Sequence, residues 1–285
     1  MSSRQADGGR RPEGPEAPVQ PAVPLRAGRV VGSVRRLLAD CGNTAIKLAM
    51  AEDATVGAVT RLAADPAAIS TWFAAQRGTA LELVIAPGAS ATTSAVLAAA
   101  PADLPCRIVG QDLRLPDLGQ YPGCGVDRVL AGLAAGVYVR EPVIVIDCGT
   151  ATTLGAWWVA APEVDRDPCA AIHFLGGVIL PSAYACCAGL HQLAPALPLV
   201  EPGGPEARAD QHGTVQSIAA GIGIGYGPMV AACLVKLRRE TGASAVLVTG
   251  GDAGLILSSR VIAPDHRVDD LVLRGLALMA HLAAG

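Results

Sequence analysis

Charge is scarce in this chain. Asp, Glu, Lys and Arg make up 16% of its 285 residues, the net charge is -3, and Lys47 and Lys236 are its only lysines. No basic field is available, so an electrostatic nucleic-acid footprint is excluded. The preference for Arg over Lys reads as a genome-composition bias. None of the eight cysteines forms a C-x-x-C pair, and no Cys/His cluster has zinc spacing, which removes zinc ribbons and thioredoxin-like redox motifs. The N-terminus has no apolar run of the kind a secretory leader needs. The expectation is a cytoplasmic protein whose thiols are free and mostly act as small core hydrophobes. Long uninterrupted apolar spans are also missing. Pro168–Val200 and Gly213–Val235 carry no charge, but the first is cut by His173, Pro181, Pro195 and Pro198, and the second by Gln216, Ser217 and several glycines. Buried segments of a soluble α/β protein fit these stretches better than membrane spans.

What is present is apolar mass: 51% of the residues are hydrophobic, enough for a sizeable core. Residues 1–36 are rich in Pro, Gly, Arg and Glu and read as a disordered tail. Patterned sequence follows. Leu37–Ala39, Ala45–Met50 and Val56–Leu62 predict a three-strand meander. Asp65–Gln76 predicts a helix with Asp65 as N-cap and Pro66 in the first turn. Leu81–Ala86 and Cys106–Val109 read as strands, Ser94–Ala100 and Val126–Val139 as helices. The order then restarts with strands at Val143–Ile146, Thr152–Val159 and Ala171–Ile179, a polar connection at Ala161–Pro168, helices at Tyr184–Leu193 and Val215–Glu240, a strand at Ala245–Val248 and a closing helix at Asp269–Ala284. This is a repeat on the scale of half the chain. It predicts two similar α/β lobes, residues 37–141 and 142–285.

The repeat carries chemistry where its first strand ends. "LLADCGNT" (Leu37 to Thr44) and "VIVIDCGT" (Val143 to Thr150) both place Asp-Cys-Gly after an apolar run. Gly42 and Gly149 are expected to free the backbone for an unusual φ and for close approach to a ligand. Asn43, Thr44, Thr150, Thr152 and Thr153 add donors, and turn N–H groups can cradle an anion. Asp40 and Asp147 would repel a bare phosphate but could hold its cation. Two such turns across a cleft would grip a polyphosphate with its metal. Lys47 would reach the same place from the next strand. Asp127 in "GVDR" (Gly125 to Arg128) opens a helix: a helix-dipole acid, or a general base beside an anion-binding Arg. "TGGDA" (Thr249 to Ala253) is a further strand-to-helix turn where Gly250 and Gly251 would admit a ring or ribose. Cys41 and Cys148 lie in both turns, so thiol modification there is expected to inhibit.

These motifs in this order, with Gly176–Pro181 and Leu197-Pro198, resemble type III pantothenate kinase, of the acetate and sugar kinase, heat-shock chaperone and actin superfamily. The resemblance covers the chain from about Leu37 onward. It implies an α/β fold of two duplicated ribonuclease-H-like lobes (actin-like ATPase), with mixed sheets flanked by helices. It implies ATP-dependent phosphorylation of pantothenate to 4'-phosphopantothenate, the first step of coenzyme A synthesis, with Mg²⁺ and a monovalent cation, K⁺ or NH₄⁺, in a homodimer without nucleic-acid or membrane partners. Carried over by motif, Asp40, Gly42, Asn43, Thr44, Lys47, Thr150, Gly250 and Gly251 would bind ATP. Asp127 would accept the proton of the substrate hydroxyl. Gly125, Val126, Asp127, Arg128, Thr214 and Tyr121 would contact pantothenate, and Asp147 would hold the monovalent cation. The chain departs from the family pattern at Gly155, where an Asp is common, and at Ser182, where Gly is. Two other readings stay open: a kinase of another small hydroxyl compound, and a nucleotide-binding regulator without catalysis.

Overall fold

The computed structural model describes residues 33–160 and 168–283. The tail through residue 32 and the connection at 161–167 lie outside the described residues. The first half forms β1 (Arg35–Cys41), β2 (Ile46–Glu52), β3 (Thr55–Leu62), α1 (Pro66–Ala75), β4 (Glu82–Ala86), α2 (Ser90–Ala99), β5 (Cys106–Ile108) and α3 (Val126–Val139). The second forms β6 (Val143–Cys148), β7 (Ala151–Val159), β8 (Ile172–Pro181), α4 (Ala183–Leu193), α5 (Thr214–Thr241), β9 (Ala245–Thr249), α6 (Ala253–Ser258), β10 (His266–Arg267) and α7 (Leu271–Leu282).

The two sheets have one topology. Their strand orders are β3-β2-β1-β4-β5 and β8-β7-β6-β9-β10. In each, the first three strands form an antiparallel meander, and the fourth and fifth lie parallel to the first. This is the duplicated ribonuclease-H-like α/β architecture. Helix α1 starts as expected: Asp65 accepts a hydrogen bond from the Ala67 N–H, and Pro66 occupies the first turn. Helix α2 begins at Ser90, four residues before the expected start, because its first turn has no large apolar residue to announce it. The two-residue β10 was not expected. Helix α5 is long and apolar enough to cross a membrane, and its Tyr226, Val230, Leu234 and Leu237 are buried in the core on β6 and β9.

Strand periodicity sorts side chains into three cores. Leu37, Ala39 and Cys41 face α1 and α2. Ile144, Ile146 and Cys148 face α5 and α6. Leu38, Val143 and Val145 point the other way, into a layer between the sheets built from α3 and α7. The helices of that layer are exchanged: α3 packs against β6, β7 and β8, while α7 packs against β1 to β4. They meet closely at Gly275, where a Cβ would stand 2.0 Å from the Leu130 carbonyl oxygen. Backbone cannot yield as a side chain end can. Gly275→Ala is expected to cost about 1–3 kcal/mol, read as a lower urea midpoint with an unchanged slope.

Candidate active site

Both Asp-Cys-Gly turns end strands that lead to the same cleft. Because side chains alternate, the Cys of each turn enters an outer core and the Asp faces the space between the sheets. The turns meet there: the Thr44 and Thr150 hydroxyls share a hydrogen bond of 3.2 Å. Gly42 and Gly149 do not have left-handed backbone, contrary to expectation. The strained glycine is Gly250, at φ +96, where a Cβ would lie 2.6 Å from Asp147 Oδ1 and 2.5 Å from the Cys148 carbonyl oxygen. Gly88 is its counterpart, since a Cβ there would stand 1.8 Å from the Cys41 carbonyl oxygen. Each turn is thus backed by a glycine that follows the strand parallel to it.

Lys47 lies opposite Asp40 in the β1–β2 register. Its Nζ is 3.7 Å from Asp40 Oδ2 and 3.4 Å from Asp270 Oδ1. Asp270 adopts a left-handed conformation at φ 57 just before α7. Arg61 is opposite Lys47 on β3, and both its terminal nitrogens lie 2.9 Å from where a Gly251 Cβ would be. Asp40 and Asp147 are each pushed up to about 6 by burial, with Lys47 opposing and the Asp127 charge adding to the rise. Asp40 retains 13% side-chain exposure, so it is mostly desolvated but not sealed from water. The site therefore gathers the carboxylates of Asp40, Asp127, Asp147 and Asp270, with Lys47 the cation paired directly with two of them and the Arg61 guanidinium nearby.

The start of α3 lies beside these carboxylates, within reach of their charge. Asp127 is exposed, and its Oδ1 accepts the Arg128 N–H at 2.8 Å. Gly125 makes room for that carboxylate, as a Cβ there would be 2.3 Å from Asp127 Oδ1. Val126 anchors the helix start in the central core. Arg128 is buried, and its Nη1 donates to Tyr121 Oη at 2.8 Å. Thr214 stands apart: it is exposed at the first turn of α5, on the opposite side of the second sheet from α3. Thr152 is fully buried and bonded to Tyr226, so it supports the turn from below. Asp270 was missed in the sequence because it arrives from an element distant in the chain, and Arg61 because only strand pairing sets it opposite Lys47.

The family model of type III pantothenate kinase matches residues 36–236. The chain belongs to this family. The type III pantothenate kinase of Akkermansia muciniphila is 34% identical over 182 residues, covering 62% of this chain and 70% of that one. That of Synechococcus elongatus is 33% identical over 187 residues, covering 65% and 70%. A solved structure of a proposed Baf family transcriptional activator from Campylobacter jejuni has a TM-score of 0.51 at 16% identity, covering 87% of this chain and 98% of that one, a likeness of fold alone.

Among the described residues of this pantothenate kinase family member, no three His, Cys, Asp or Glu side chains form a metal cluster. The donors fit a cation held jointly with a nucleotide. Mg²⁺ commonly takes one or two carboxylates and completes its shell with phosphates and water, and the crowded carboxylates Asp40 and Asp147 have Lys47 as the cation that opposes their raised pKa. Burial makes the two turn thiols poor targets for the modification that was expected to inhibit. Cys41 and Cys148 are buried with pKa values pushed up to about 12, chiefly by burial. Native alkylation at pH 8, read by peptide mass spectrometry, is expected to leave both unlabelled until the protein is unfolded.

Proposed function

We propose that the chain transfers the γ-phosphoryl group of ATP to the hydroxyl of pantothenate, giving 4'-phosphopantothenate for coenzyme A synthesis. The observation that carries this is the Thr44–Thr150 contact: it closes two phosphate-type turns over one cleft, with Asp127 charge-coupled to both turn carboxylates. Asp40, Gly42, Asn43, Thr44, Thr150, Gly250 and Gly251 form the ATP side. Lys47 and Arg61 supply the positive charge that a triphosphate needs. Asp127 accepts the proton as the hydroxyl oxygen bonds to phosphorus and the bond to the ADP oxygen breaks. Gly125, Val126, Arg128 and Tyr121 hold the acceptor, with the guanidinium facing its carboxylate.

Mg²⁺ would be held beside Asp40 and the phosphates, neutralising charge on the transferred group. Asp147 would hold K⁺ or NH₄⁺. The resemblance also supports a cytoplasmic homodimer. Exposed Ile179, Tyr184, Leu190 and Leu193 offer apolar surface for a second copy. Thr214, remote from its own Asp127, remains a proposed acceptor contact. The proposed division keeps the expected tail at 1–36 and lobes at 37–141 and 142–285 with two corrections: β1 already begins at Arg35, and α3 and α7 are exchanged between the sheets.

The test is ADP release with pantothenate as the only acceptor, with Mg²⁺, with and without K⁺. Pantothenate-dependent release that rises with K⁺ is expected. ATP binding without release would overturn the kinase reading in favour of a regulator. Release with another small alcohol but not with pantothenate would overturn the acceptor.

A further inference from the structure

The chain has two Phe, three Trp and four Tyr. Two of these rings lie against Arg128, and a third backs one of them. Its Cζ is 5.6 Å from the Phe174 ring centroid and 6.0 Å from that of Tyr121. Phe174 in turn lies 4.9 Å from Trp157 and 6.0 Å from Tyr121, centroid to centroid. Trp157 is 1% exposed and locked against α3, where a Cβ on Gly132 would stand 2.2 Å from the indole. A continuous line of contacts runs from Gly132 through Trp157 and Phe174, whose rings are tilted 55° to each other, to the guanidinium.

A bulge directs Phe174 into that line of contacts. Gly155 pairs with Gly177 and Ala156 with Gly176, but Trp157 then pairs with Phe174, leaving Leu175 as the extra residue. Gly176 takes φ +131, a conformation that side chains rarely adopt. Without the bulge, strand alternation would put Leu175 beside Trp157 and turn Phe174 away. The result is an oriented cation with one unpaired donor. Arg128 is 9% exposed, and its Nη2 is buried without a hydrogen-bond partner. Among the described residues, no carboxylate forms an ion pair with it. The backbone alone lines one side of Nη2, as a Cβ on Gly177 would be 2.8 Å away.

We propose that Phe174 is a positioning residue: its ring face fixes the Arg128 guanidinium in the plane that receives the acceptor's carboxylate. This rests on the kinase reading above. A ring attracts a guanidinium across its face and leaves the in-plane N–H groups free for a planar anion. Leucine fills the space without setting that plane.

The experiment is steady-state kinetics of Phe174→Leu and Phe174→Tyr, each with and without Arg128→Ala. Phe174→Leu is expected to raise the KM for pantothenate about tenfold, with kcat and the KM for ATP within about twofold of wild type. Phe174→Tyr is expected to restore the KM. In the Arg128→Ala background the leucine change is expected to add nothing, the sign of full coupling. Equal loss in kcat and both KM values, or the same rise in KM without Arg128, would overturn the proposal and leave Phe174 a packing residue. Phe174→Met, similar in volume but without a ring, takes over the test if the leucine variant does not fold. Failure of the kinase reading is distinguishable, since wild type would then release no ADP with pantothenate.

Discussion

Asp127→Asn is expected to lower kcat by about two to four orders of magnitude, the usual contribution of a positioned general base. The substitution keeps the oxygen that accepts the Arg128 N–H at 2.8 Å, so α3 should retain its start. It removes one of the negative charges that raise Asp40 and Asp147, so thermal stability should not fall. ATP affinity, measured by calorimetry, should change little. The separation is the point: a large loss of turnover in a protein that folds and binds nucleotide assigns the proton acceptor. A loss of less than about tenfold would place the proton elsewhere.

Lys47→Met carries the second large effect, and its pH dependence is fixed in sign. Asp40 and Asp147 titrate near 6 in the folded chain against an ordinary 3.8. The folded state therefore holds more protons than the unfolded one between these values, and stability falls as pH rises from about 4 to about 6. The cost is absent below that window and complete above it. Lys47 offsets the cost only while the carboxylates are charged. Removing it should destabilise the protein by about 1–3 kcal/mol at pH 8, below the value for a sealed ion pair because the cleft admits water. The loss should shrink markedly at pH 4. Melting temperatures of both proteins at the two pH values test this, and an equal loss at both would refute the charge argument. The KM for ATP should also rise by at least about tenfold, as one ammonium against a triphosphate is a charge-assisted contact.

The elements that sequence revealed are those whose signals are local. Val126–Val139 is bounded by a Gly-rich loop before it and by Arg140 in left-handed backbone after it, and its expected and observed ends agree. The repeated apolar run with Asp-Cys-Gly indicated the duplication because both copies are contiguous. The backing glycines are equally regular in space, yet Gly88 is preceded by Pro87 and Gly250 by Thr249, so no shared string marks them. Asp270 read as an ordinary residue of a closing helix, because only tertiary packing brings it to Lys47. The bulge that selects Phe174 over Leu175 is a register event between two strands, and a single strand carries no sign of it beyond paired glycines. Arg61 is visible only through strand pairing and the approach of the opposite sheet.

The exchange of α3 and α7 also governs when the protein can become itself. The first sheet comes early in the chain, but the helix that covers its inner face is the last of the described elements, more than 180 residues after β4. While the chain is still on the ribosome, Leu38, Ala49, Ala51 and Val84 have no lid of their own. Contacts this distant in sequence are slow to close, because nearly the whole loop must be ordered before they return any stability. The first half thus carries an uncovered apolar face until α7 has been added, the kind of surface that exposes a folding intermediate to aggregation.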